Sequence, residues 1–180
     1  MNRLLLRMVP LLLVLCALPT WGWAQKGSGF IDASPDGARV NAAFDAAQAA
    51  GIPIDLLMNK LREGQAKNVP MARIADAVEA RLAALIKAKE LLRRAEIEEA
   101  SAGDLSVTAD AVQVRVEEET IVRLLRVAPA ERRTVATAIL AQLVQLGYDS
   151  ERAYGRVTAA LPDPEALANL RAAVAAEARR

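Results

Sequence analysis

From residue 36 onward the apolar residues of this chain recur three and four positions apart, the period of an amphipathic α-helix. Val40, Phe44 and Ala47 mark a first helix over 36–50, which Gly51 ends. Leu56, Leu57 and Leu61 mark a second, opened by Pro53 in a first-turn position and closed near Lys67 or Asn68. Ile74, Val78, Leu82, Leu85, Ile86, Leu92 and Ile97 keep one face of a long third helix apolar from Pro70 on. Val135, Ile139, Leu140, Leu143 and Leu146 predict another helix between Pro129 and the stop at Gly147. Asp149 then caps a helix over 149–161 that Pro162 terminates. Asp163 caps the last one, with Pro164 in its first turn and Leu167, Leu170 and Val174 as its stripe.

One stretch carries two periods at once. After a break at Ser101 to Gly103, Val112, Val114 and Val116 alternate with polar residues as a strand would. A lone strand has nothing to pair with, and isolated hairpins are marginal in water. Ile121, Leu124 and Leu125 continue a helical stripe, so the reading adopted is one helix from a Thr108 cap through Leu125. The expected fold is therefore all-α, a multi-helix bundle or short helical array.

The joints between helices share a grammar. "GIP" at 51–53, "NVP" at 68–70 and "GYD" at 147–149 each place a residue tolerant of left-handed backbone, then a large apolar residue, then a helix starter. Asn68, Val69, Arg73, Val78 and Leu82 fall on Gly147, Tyr148, Arg152, Val157 and Leu161 at one constant offset. That correspondence predicts two related three-helix units, 36–100 and 108–161, followed by a C-terminal helix, because stacked helical units bury a core that one alone could not.

The N-terminus changes what the domain must be. Arg3 and Arg7 precede an apolar run over 8–19, and Gly22 and Ala24 are small residues before a plausible cut. This is the pattern of a secretory signal peptide over 1–24, with an apolar run too short to span a bilayer. Residues 25–35 (QKGSGFIDASP) read as a flexible lead-in, and 36–180 as a single helical domain exported to the periplasm or outside the cell. Cleavage would remove Cys16, the only cysteine, and two of the 23 basic residues, leaving 21 basic against 22 acidic. A near-neutral mature chain is a poor partner for nucleic acid, which needs a basic surface, and it carries no integral membrane span.

Candidate chemistry is thin. The chain has no histidine, which removes His-based triads, metal sites and the usual near-neutral general base. With Cys16 gone there is no thiolate nucleophile. Phe30, Phe44, Tyr148 and Tyr154 are the mature aromatics, too few for a sugar- or base-stacking platform. Glu63 is the single catalytic candidate, a general acid needing Asp55 or Asp76 as second carboxylate across a cleft. Against this, Glu63 and Lys67 are spaced as a surface i,i+4 ion pair. Gly64 and Lys67 lack the strand, glycines and Lys-Ser/Thr step of a phosphate loop. The clusters Glu96-Glu98-Glu99 and Glu117-Glu118-Glu119 lack a calcium-loop turn glycine and read as solvated helix faces, as does KAKELLRRAEIEEA with its Glu90–Arg94 and Arg94–Glu98 spacings. No metal, cofactor or catalytic residue is expected.

The run Gly51-Ile52-Pro53 through Glu63-Gly64, Ala66-Lys67 and Val69-Pro70 resembles a stretch recurring in uncharacterised exported bacterial helical proteins. The resemblance spans residues 51–82 and implies only an exported helical protein, with no functional residues to carry over. The expectation is a non-enzymatic envelope protein that binds a protein partner or itself. The alternatives are a chaperone-like binder of apolar ligands and a carboxylate hydrolase centred on Glu63.

Overall fold

The structure is a computed structural model that describes residues 34–178; the signal segment 1–24 and most of the lead-in lie outside the described residues. The described chain is all-helical. Its eight helices are α1 (Pro35–Ala49), α2 (Asp55–Ala66), α3 (Met71–Arg94), α4 (Ala102–Gln113), α5 (Glu118–Val127), α6 (Ala130–Gln145), α7 (Ser150–Ala160) and α8 (Pro164–Glu177). Their starts follow local chemistry. Ser34, Asp149 and Asp163 accept the backbone N–H groups of Gly37, Arg152 and Glu165, and each such cap contributes about 1 kcal/mol. The first helix thus starts one residue earlier than expected, with Ser34 as cap and Pro35 already helical. Pro53 lies two residues before α2 rather than inside its first turn.

The helix expected from Thr108 to Leu125 is two helices. Ser101 is the cap of α4, forming a capping box in which its hydroxyl accepts from the Asp104 N–H while the Asp104 carboxylate accepts from the Ser101 N–H. Gly103 sits inside this helix, and Thr108 is buried in its interior rather than capping it. Arg115 then takes φ 63° and ends α4, so the alternation of Val112, Val114 and Val116 is a helix end and a corner, not a strand. The second expected unit, 108–161, accordingly begins in mid-helix.

Five corners share one geometry. Gly51, Asn68, Glu96, Arg115 and Gly147 all have positive φ, and each is followed by an apolar residue whose N–H reaches back five positions. These bonds run from Ile52, Val69, Ile97, Val116 and Tyr148 to the carbonyls of Ala47, Gly64, Leu92, Ala111 and Leu143 at 2.9–3.1 Å. This is the Schellman ending, which satisfies orphan carbonyls and folds the apolar residue back onto the helix it closes.

α3 and α6 are the two hubs. α3 lies against α1, α2, α4 and α5, while α6 lies against α4, α5, α7 and α8, so α4 and α5 join the halves. Leu57, Leu61, Leu85 and Leu91 fill the core around α3, and Ile121, Leu124, Leu125, Ile139, Leu140 and Leu143 fill it around α6; all are essentially fully buried. Each such side chain contributes about 1.5–3 kcal/mol of transfer free energy. Buried alanines (Ala75, Ala84, Ala88, Ala109, Ala136) let the helix axes approach where larger groups would hold them apart.

The polar face of α3 is not merely solvated. Arg94 pairs with Glu118 and Glu119 of α5 at 3.2 and 3.0 Å, and Lys87 with Glu118 at 3.0 Å. The expected pairs of Arg94 with Glu90 and Glu98 do not form; Glu90 instead meets Lys87. Helix-to-helix pairing across α3 and α5 wins because α5 docks its acidic first turn beside the basic last turn of α3, each sign at the helix pole that favours it.

Candidate functional site

Glu63 projects from α2 at the edge of a polar cleft of about 210 Å³ lined also by Asn59, Lys60, Arg81, Ser106 and Asp110. Its carboxylate accepts from Lys67 Nζ at 2.6 Å and Lys60 Nζ at 2.9 Å, the i,i+4 and i,i−3 neighbours on its own helix. The hydrogen bond from Lys67 first, then that from Lys60, lowers its pKa from 4.5 to about 2. A glycosidase acid must keep its proton near neutral pH, so this carboxylate is tuned the wrong way for that role. The two carboxylates named as its partners lie elsewhere. Asp76 is held by Arg39 at 2.7 Å, and Asp55 is exposed in the first turn of α2. Gly64 is explained by packing. A Cβ there would stand 2.6 Å from Ile74 Cγ1, so the glycine lets α3 cross α2 closely.

The acid that does line the cleft, Asp110, was not anticipated. Arg81, on the third helix, is 8 % exposed and donates to Asp110 at 2.6 Å, Gln113 Oε1 at 2.9 Å and Ser106 Oγ at 2.9 Å. One guanidinium thus clamps three side chains spaced 106, 110 and 113 along one face of α4. The i,i+4,i+7 spacing of those polar residues was visible in the sequence, but nothing local said that an arginine 25 residues earlier would meet it. Both cleft carboxylates are thus charge-paired, Glu63 within α2 and Asp110 across to Arg81, and the Arg81 hydrogen bonds fasten α3 to α4. Among the described residues no group of three acidic, histidine or cysteine side chains could hold a metal ion.

A larger, apolar concavity lies on the same half of the fold. It is a groove of about 680 Å³ between the α1–α2 corner, the C-terminal half of α3 and the link into α4. Ile52, Leu92 and Leu105 form its floor and are almost fully buried, with Ile97 half-buried beside them. Ile86 stands on its edge with 47 % of its surface exposed; Val127 is the other large apolar residue so exposed among the described residues. Lys89 Nζ donates to the Ala50 carbonyl at 2.6 Å, a cation at the C-terminal pole of α1 that fixes this wall to α3. Two rim charges are unspent. The side chains of Arg93 and Glu98 are exposed and make no ion pair or hydrogen bond with described residues.

A second, smaller recess of about 490 Å³ runs between α6 and α8 over Val135, Leu167, Ala168 and Ala172. Arg132 closes one end by donating to the carbonyls of Leu161 and Pro162. No described helix is long and apolar enough to cross a membrane. Compared with protein-family models, curated proteins and solved structures, the chain finds no match.

Proposed function

We propose that this is an exported, non-enzymatic helical protein of the cell envelope that works by docking another protein surface. The observation that carries this is the apolar groove beside α3, where an isoleucine half open to solvent overlooks a floor of buried aliphatic side chains. A monomeric surface tolerates scattered apolar residues, whereas an apolar concavity with a polar rim marks a recognition site. Export rests on Arg3, Arg7 and the apolar run over 8–19. The ionised, lysine-paired Glu63 weighs against hydrolysis.

The test places a photocrosslinking amino acid at Ile86 in cells, with Glu165 on α8 as the control position. A protein adduct at residue 86 and none at 165 supports the reading; no adduct at 86 refutes it. N-terminal sequencing of the envelope fraction checks export, with residue 25 expected first.

A further inference from the structure

The groove carries both halves of a contact on one face. Ile86 is an exposed apolar ridge, and immediately beside it the floor of Ile52, Leu92 and Leu105 is an apolar hollow. The rim carries one cation, Arg93, and one anion, Glu98, that are unpaired among the described residues. The remaining lining charges are already engaged, Lys89 by the Ala50 carbonyl and Glu90 by Lys87. A surface with ridge and hollow, plus and minus, side by side is complementary to itself. That is the requirement of a two-fold interface, in which residue i of one copy meets residue j of the other and j meets i.

We propose that the occupant of the groove is the same groove of a second copy of this chain, packed about a two-fold axis. Ile86 of each protomer enters the hollow of its partner, and Arg93 of each meets Glu98 of the other. This rests on reading the groove as a protein-docking face and adds the identity of the partner. A charged partner of other kinds fits less well, because the lining charges Lys89, Arg93, Glu90 and Glu98 sum to zero and offer no net field for steering.

The symmetry makes a sharp test possible by sedimentation equilibrium of the purified protein. The wild type is expected to go from one chain to two as concentration rises. Ile86→Glu is expected to raise the dimer Kd by at least about 30-fold, the loss of one anchor residue. Arg93→Glu alone puts two acids in apposition at each contact, and Glu98→Arg alone puts two bases there, so each variant is expected to be monomeric. Mixed in equal amounts, those two variants are expected to form a heterodimer, because the Glu at 93 of one then faces the Arg at 98 of the other. A single chain carrying both swaps is expected to dimerise again. Both positions are exposed, and helical circular dichroism verifies that each variant is folded. A wild type that stays monomeric at every concentration overturns self-association, while an adduct with a different protein at residue 86 would leave the docking reading standing. A dimer indifferent to both charge swaps also overturns the proposal, since it would use another surface.

Discussion

Three threonines are almost completely buried, and their hydroxyls meet different fates. Thr108 on α4 and Thr137 on α6 are 0 % exposed, and neither hydroxyl has a hydrogen-bond partner among the described residues. Thr120 on α5 is 1 % exposed, but its hydroxyl donates to Glu151 at 3.2 Å and accepts from Arg123 at 3.3 Å. Replacement by valine exchanges hydroxyl for methyl at nearly constant shape and similar helix propensity. At Thr137 the exchange removes an unsatisfied buried hydroxyl, a penalty of about 1–3 kcal/mol, and buries one more methyl worth about 0.8 kcal/mol. After allowance for partial relaxation, Thr137→Val and Thr108→Val are each expected to stabilise the fold by about 1–2 kcal/mol. Thr120→Val has the opposite sign. Hydrogen bonds to charged groups are worth about 1.5–3 kcal/mol, but Glu151 and Arg123 are exposed enough to regain water, so a net loss of about 1 kcal/mol is expected. The assay is urea unfolding followed by helical circular dichroism, with a midpoint shift at constant slope taken as the change in stability. The reasoning fails if Thr137→Val destabilises, since most substitutions do, or if all three variants shift in the same direction.

Arg81→Met should cost about 1–3 kcal/mol in the same assay, because it unties three side chains of α4 while the half-exposed Asp110 recovers solvation; adding Asp110→Asn should restore part of that loss in a double-mutant cycle. Arg115→Gly and Glu96→Gly should each stabilise by up to about 1 kcal/mol, since both sit at φ 63° where a Cβ is strained; destabilisation at either would mean that side chain has an energetic role at the corner. Glu63 titrates near 2 when folded, below its ordinary 4.5, so its contribution is present above the unfolded value and is lost as pH falls through about 2. The melting temperature of Glu63→Gln should therefore fall below wild type at neutral pH and converge with it at strongly acid pH, and a gap that persists there would contradict the assignment.

Much of the architecture was legible because its signals are local. Leu and Ile at spacings of three and four report which face of a helix is buried, and Asp149, Asp163, Gly51, Asn68 and Gly147 report helix ends through their own conformational preferences. The same logic explains the miss at 96 and 115. Glutamate and arginine have no preference for left-handed backbone. They adopt it because Ile97 and Val116 gain burial and close the five-residue bond back to Leu92 and Ala111, which offsets the strain. The valine alternation before it imitated a strand for the same reason, one helix turn and one corner happening to alternate.

The pairing of Glu63 with Lys67 was set by the sequence, since i,i+4 spacing on a helix brings two side chains together whatever surrounds them. So were the all-helical character, the short corners and the absence of histidine chemistry. Tertiary structure alone decided which charges meet across helices: Arg94 with α5 rather than its own turn, and Arg81 with Asp110, 29 residues away. It also decided that Ile86, drawn in the sequence with the apolar stripe of α3, stays half exposed while its neighbours Leu85 and Leu92 are covered. A period can say that an apolar face exists. Whether a neighbour covers that face depends on where the other helices cross it, and no local pattern encodes the crossing.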